Sequence, residues 1–435
     1  MLWLQDQNNI LIQLNKTLLN CSSLNKKLLI IGFVWPEPQS SAAGSRMVQL
    51  IEIFKSKNYD ITFVTACLKS DNAFDLKTID IETKNIVLND SSFDVFVKDL
   101  DPNVVLFDRF MIEEQFGWRV AEQCPNALRL LDTEDLHCLR RGREQALKDN
   151  TVFDISYLYN DTAKREIASI YRCDLSIIIS EVEMGILRQQ FHVSDGLLCY
   201  LPFLVDSISK KEQKALPNFI KRKHFITVGN FLHQPNVDGL IHLKKNIWPL
   251  IRQKLPEAEI HIYGAYATEQ AKQLNSEKDG FIIKGFTKDI SNLMKDYRIC
   301  LVPLRYGAGL KGKILDAMLT GVPCVTTSIG AEGMYGDLEP NGFVEDVPKD
   351  FANKAIELYT NKIYWAGKQK LGVNIINLRF DKQLHTKDFL LKVENTQNAI
   401  DIHRRNNFTG SMLMHHTVQS SKYMSKWIEE KNKKK

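Results

Sequence analysis

Two doubly wound α/β domains in tandem, facing each other across a cleft, are the architecture this sequence predicts. Three observations predict it. Short apolar runs alternate with amphipathic stretches along most of the chain, the pattern of buried parallel strands joined by helices. That alternation breaks once, at Asp206–Lys223, a polar and basic stretch interrupted by Pro217, and then restarts. The length, 435 residues, is enough for two domains of ordinary size, and 44% hydrophobic with 25% charged residues is a globular composition.

The elements follow in order. "KLLIIGFVW" (27–35) is an apolar run that reads as a strand buried on both faces. A loop, "PEPQSSAAGS", leads to the amphipathic stretch "RMVQLIEIFKSKN", predicted as a helix, and "YDITFVTA" is the next strand. "NIVL", "NVVLFD", "LRLLD", "LSIIIS" and "LLCYLPF" complete a first domain over 26–205. After the linker, 206–223, a second domain spans 224–365. Its strands are "HFITVGN", "AEIHIYG", "GFIIKG", "RICLVPL" and "VPCVTTS", and "VDGLIHLKKNIWPLIRQKL" is its first helix. Residues 366–435 read as a helical segment and a basic tail that docks on the domains or on a partner.

Net charge is +5, and much of the excess is local: Lys210–Lys223 and the final lysines. Such runs are usually solvated, so nucleic acid is not the expected partner. Peripheral contact with an anionic membrane through the basic segments is the minority expectation. The eight cysteines form no C-x-x-C and no zinc-finger spacing, and several sit in apolar runs, as in a reducing compartment. The N-terminus lacks the pattern of a signal peptide, and no run approaches a membrane span. The expected location is the cytoplasm, with the inner face of a membrane as the variant.

In open α/β sheets ligands sit beyond the carboxyl ends of the strands. After "RICLVPL" comes "RYGAGLKGKILDAM", in which Gly307, Gly309 and Gly312 spell G-x-G-x-x-G. Glycines let backbone N–H groups approach an anion, and a helix N-terminus adds partial positive charge. Arg305, Lys311 and Lys313 lie within the same nine residues, so the stretch suits a diphosphate. A nicotinamide dinucleotide would also need an acid at the end of the next strand. That strand ends in Thr326, Thr327 and Ser328, and Glu332 comes only after a further turn.

Here the sequence resembles a family. "PLRYGAGLKGKILDAMLTGVPCVTTSIGAEGM", with "TVGNFLHQPNVDGL", "PEAEIHIYG" and "GFTKDISNLM" before it in the same order, is similar to the donor half of retaining GT-B glycosyltransferases, group 1 or family 4. The resemblance covers roughly 224–335. It implies a nucleotide diphosphate-sugar as co-substrate, no cofactor, no metal, and transfer of the sugar to an acceptor hydroxyl with retention. It places Gly229, His233, Arg305, Gly307, Ala308, Gly309, Leu310, Lys311, Lys313, Asp316 and Glu332 on the donor side. Many members have Glu, seven residues, Glu; here Asp316 takes the second, ribose-binding place and Ala308 the first. Many also carry Arg and Lys after the domain's first strand, where this chain has "GNFLHQPN". Arg305, Lys311 and Lys313 are then expected to compensate.

On the acceptor side the densest polar cluster after a strand is "TEDLHCLRRGR". His137 and Asp135 are the candidates to orient or deprotonate an acceptor hydroxyl. Capping of a helix start explains the acids equally. Gly44 and Arg46 belong to a loop that approaches the donor diphosphate in related enzymes. The acceptor is expected to be a glycan or a lipid-linked intermediate. A nucleotide-sugar epimerase or phosphorylase of the same fold and a non-catalytic nucleotide-sugar-binding protein are the alternatives; a nicotinamide dehydrogenase is the most distant.

Overall fold

The computed structural model describes residues 26–433. The N-terminal stretch read above as lacking a signal peptide lies outside the described residues, as do Cys21, Lys434 and Lys435. Two parallel sheets form the molecule. The first has seven strands in the order β3-β2-β1-β4-β5-β6-β7 and the second six, β10-β9-β8-β11-β12-β13.

In the first sheet, β1 (Lys27–Gly32) lies between β2 (Asp60–Thr65) and β4 (Val104–Asp108). β5 (Leu128–Asp132), β6 (Leu175–Ile178) and β7 (Leu198–Tyr200) extend it on one side. β3 (Glu82–Asn85) closes the other edge. The inner strands are buried on both faces, which is why they read as continuous apolar runs. The second sheet is built alike from β8 (Lys223–Val228), β9 (Ile260–Tyr263), β10 (Phe281–Gly285), β11 (Tyr297–Val302), β12 (Cys324–Thr326) and β13 (Gly342–Val344). Each sheet reverses its winding at one place, between β1 and β4 and between β8 and β11, and opens a crevice there.

Two expectations need correction. "NIVL" is not a strand: β3 is the segment before it, Glu82–Asn85, a mostly exposed edge strand without an apolar signature. The first helix begins at Ala42, not Arg46, because the Ser41 hydroxyl accepts the Gly44 N–H at 3.0 Å and caps it inside the supposed loop. β13, three residues long, gave no signal. The segment after 365 first packs on the second domain, where helix Lys362–Ile375 meets helices Gly312–Leu319 and Pro348–Thr360, and then docks on the first. Val205 bridges to Asp381, and helix Lys382–Asn398 crosses back to the first domain. There Phe389 and Val393 join the core formed by Leu50, Phe54 and Leu106. The final helix, Phe408–Lys433, lies against helices Asp161–Arg172 and Phe110–Gln123 of that domain. No helix among the described residues is long and apolar enough to cross a membrane.

Candidate functional site

The loop Pro303–Lys311 leaves β11 at the second crevice and enters helix Gly312–Leu319. Gly309 has φ +64°, and a Cβ placed on it would lie 2.9 Å from the Asp135 Cβ of the first domain. The loop therefore needs glycine for conformation and for close approach across the cleft. Lys311 is buried, and its ammonium donates to the carbonyls of Ala308 at 3.1 Å and Gly309 at 2.5 Å. It braces the loop from within. Burial lowers its pKa.

Lys313 follows on the first turn of the helix and donates to Asn236 Oδ1 at 2.8 Å. Asn236 in turn donates to the carbonyl of Asn230 at 3.0 Å, holding the turn after β8. Burial brings Lys313 down to about 8, with Lys311 adding to the fall against the opposing pull of Cys300. A Cβ on Gly229 would strike the Asn236 amide at 2.7 Å, so Gly229 serves packing of that turn. A small cavity between β8 and β11 is lined by Gly229, Asn236, Leu304 and Lys313.

Three donor-side residues are engaged within the protein itself. Arg305 points outward and forms an ion pair with Asp238, leaving Lys311 and Lys313 of the three expected cations beside the loop. Glu332 is held by Arg143 of the first domain at 2.9 and 2.5 Å. Leu310 is buried in the core beneath the loop. Asp316 is half-buried one turn into the helix, and burial alone pushes its carboxyl up to about 7. Ala308 packs against the core of the first domain. His233 is solvent-exposed, close enough to Asp135 for its charge to be felt there.

The first domain holds this loop through residues the sequence reading passed over. Glu183, fully buried, accepts from the backbone N–H of Leu136 at 2.9 Å and of Gly309 at 2.8 Å. Arg143 donates to the Gly307 carbonyl at 2.8 Å besides pairing with Glu332. Helix His137–Lys148 starts without a capping side chain of its own. Glu166 caps it from another helix, accepting the N–H groups of His137 at 2.9 Å and Cys138 at 3.0 Å. No local spacing announces these contacts; Glu183 lies 126 residues from Gly309.

His137 and Asp135 are brought together, Nε2 to Oδ1 at 3.3 Å, but neither is a strong base. Burial lowers the His137 imidazole to about 4, against the attraction of Asp135. Burial would raise Asp135, but Arg140, His137, His233 and Arg109 outweigh it and hold the carboxyl at about 2. Arg46 is buried and committed within its own domain. Its Nε meets Asp132 at 3.1 Å and its Nη1 meets the Leu201 carbonyl at 2.8 Å. Gly44 sits where a Cβ would strike the Glu37 backbone at about 2.4–2.5 Å. Ala42, on the same turn, would meet a Cβ on Gly312 at 2.7 Å, so this turn does reach the start of the donor-side helix.

Among the described residues no group of three or more His, Cys, Asp and Glu is arranged to hold a metal ion.

Residues 222–361 match the family model of group 1 glycosyl transferases. An uncharacterized 44.6 kDa protein from the cps region of Klebsiella pneumoniae is 32% identical over 113 residues, which is 24% of this chain and 29% of that protein. The match thus spans under a third of the curated relative. Sucrose-phosphate synthase from Thermosynechococcus elongatus superposes with a TM-score of 0.63 at 14% identity, over 86% of this chain and all (100%) of that one. Anabaena HepE, in complex with UDP and glucose, gives 0.63 at 14% over 85% and 100%. A Staphylococcus aureus TarM mutant bound to UDP gives 0.54 at 16% over 69% and 58%. Such identities speak to the fold, and the fold is GT-B.

Proposed function

We propose that this chain, a GT-B protein related to the group 1 glycosyl transferases, moves a sugar from a nucleotide diphosphate-sugar to an acceptor hydroxyl, with retention at the anomeric carbon. The observation that carries the proposal is the glycine loop 307–309 running into a helix N-terminus, with Lys311 and Lys313 beside it and the first domain closing on it through Glu183. As the sugar departs, negative charge grows on the diphosphate. Loop amides, the helix dipole and Lys313 are placed to stabilise it without reorganising. Asp316 suits a ribose hydroxyl, and the backbone around Ala308 and Gly309 faces the sugar. Asp135, touching Gly309 and paired with His137, fixes the seam between donor and acceptor halves.

The donor is proposed to bind without metal or cofactor, and the acceptor to be a glycan or lipid-linked sugar met in the cytoplasm or at its membrane face. Calorimetric titration with UDP-glucose, UDP-N-acetylglucosamine, GDP-mannose and dTDP-rhamnose, with and without chelator, tests this. At least one should bind at micromolar to sub-millimolar affinity and be slowly hydrolysed. Binding of none would end the reading; donor turnover to an epimer without acceptor would replace transferase by epimerase.

A further inference from the structure

The final helix, Phe408–Lys433, is fixed to the first domain along one side and carries large apolar side chains along the other. On the docked side a Cβ on Gly410 would strike the Tyr171 carbonyl at 2.1 Å, so the backbones touch. Further along, Ser425 is buried, and its hydroxyl accepts from Arg119 Nη2 at 2.9 Å. The Glu429 carboxylate accepts from the Ser91 hydroxyl at 2.6 Å. These contacts fix which side of the helix meets solvent. On that side Phe408 is 70% exposed, Met412 46%, Tyr423 65% and Trp427 60%. At 3.6 residues per turn these four fall within about 100° of one another around the helix axis. An immobilised helix that holds three aromatic rings and a methionine in water has the composition of an interface.

The two ends of this stripe are complementary to each other. At its start, helix Ile400–Asn406 meets the final helix, and Asp401, Arg405, Phe408 and Ser411 line an open groove of about 610 Å³ between them. Arg404 also lines the groove but is engaged with Asp174 at 2.8 Å, whereas Asp401 and Arg405 are exposed. At the other end Trp427 projects as a knob. The Lys431 ammonium lies over its ring, 5.1 Å from the centroid, and the exposed Glu430 stands on the next turn, paired with Lys433 of its own helix. Phe408 and Trp427 have the same midpoint in the chain as Met412 and Tyr423, between residues 417 and 418, and Arg405 and Glu430 share it. A two-fold axis through that point, perpendicular to the helix, lays the helix antiparallel on its own copy. Phe408 then meets Trp427 of the second copy, and Met412 meets its Tyr423. The same operation carries Glu430 of one copy to Arg405 of the other and Lys431 toward Asp401, so acids meet bases.

We propose that this chain forms a two-fold homodimer through its final helix, with Trp427 of each copy seated in the groove between helices Ile400–Asn406 and Phe408–Lys433 of the other. The charges select a second copy over a membrane. Both ends of the stripe carry both signs, Asp401 with Arg405 and Glu430 with Lys431, whereas an anionic bilayer recruits a face of positive sign. The contact uses no residue of the donor loop, so it stands or falls independently of the transferase reading.

Sedimentation velocity of the full chain over a concentration series tests it. The wild type should move from 50.0 kDa toward twice that mass, with a Kd in the micromolar range. Trp427→Glu and Phe408→Glu should each weaken association by about 100-fold or more, because each contact occurs twice in the dimer. Their far-ultraviolet circular dichroism should match wild type, since both side chains are exposed in the single chain. Arg405→Glu and Glu430→Arg should each weaken association by about tenfold, and the double variant should recover it to within about threefold. Parallel flotation with phosphatidylglycerol vesicles gives the competing outcome. A wild type that stays at 50.0 kDa throughout overturns the proposal, and if it floats with the vesicles the stripe belongs to a membrane. A dimer that survives Trp427→Glu, or charge variants without rescue, overturns the antiparallel interface.

Discussion

The two crevices solve the same problem with different materials. The second-domain crevice is made of backbone: Gly307 and Gly309 at positive φ, a helix start, and one internal lysine brace. The first-domain crevice is made of buried charge: Arg46 on Asp132, Arg109 on Asp108, and Glu166 and Glu183 capping N–H groups. A backbone cradle depends on a few conformations and tolerates loss of nearby surface charges. A charged floor depends on every partner, because removing one strands the other in low dielectric. The largest expected effect breaks the second kind. Arg46→Ala leaves Asp132 buried and unpaired, and should cost about 3–5 kcal/mol in urea unfolding of the full chain. Arg305→Ala, in the exposed donor-side pair with Asp238, should cost at most about 1 kcal/mol. Equal losses would erase the contrast.

That contrast also decided what the sequence could reveal. The strands of both sheets are legible because burial on two faces leaves a run such as Leu28–Ile31 or Ile299–Val302 with nothing polar in it. The glycine loop is legible because conformation is written locally: Gly309 must be glycine, and its neighbours say why. β3 was misplaced because an exposed edge strand, Glu82–Asn85, has no apolar face to advertise it. The return of residues 382–433 to the first domain is a matter of tertiary packing, carried by Phe389, Val393 and the Arg404–Asp174 pair. In the first-domain crevice and at its seam the partners are far apart in the chain. Arg46 meets Asp132 across 86 residues and Arg143 meets Glu332 across 189. A cluster like "TEDLHCLRRGR" shows that charge gathers there, but not that Asp135 is held ionised beside a neutral His137.

Glu183 joins the two materials, since its carboxyl accepts a backbone N–H from each side. Burial, with Asp135 adding to it, raises its pKa to about 8, against the N–H groups of Leu136 and Gly309 and the Lys311 charge. A carboxyl whose folded pKa lies above its unfolded value, about 4.3, gives stability that is fully present below that unfolded value. The contribution is lost as pH rises to about 8. Glu183→Gln keeps an oxygen acceptor for both N–H groups and removes the titration. The variant should match wild type near pH 5 and exceed it at pH 9 by on the order of 2 kcal/mol. Parallel stability curves from urea titrations across pH 5–9 would place Glu183 outside the seam.

A comparison within the second crevice separates the two lysines of the cradle. Lys311 spends its ammonium on loop carbonyls, whereas Lys313 donates, among the described residues, to Asn236 alone and has N–H groups left for a diphosphate. Losing one charge-assisted contact to phosphate is worth about 1.5–3 kcal/mol, so Lys313→Met should weaken UDP-glucose binding by about tenfold or more without unfolding the loop. The charge on Lys313 is itself conditional: with its pKa lowered to about 8 by burial, free protein above that pH presents a neutral amine. Wild-type affinity for UDP-glucose should therefore fall between pH 7 and pH 8.5, a range in which neither the donor diphosphate nor most of its uracil titrates. In Lys313→Met the same titration should be flat. A backbone cradle acting alone would give identical pH profiles in both proteins, and the lysine would then belong to the fold and not to the site.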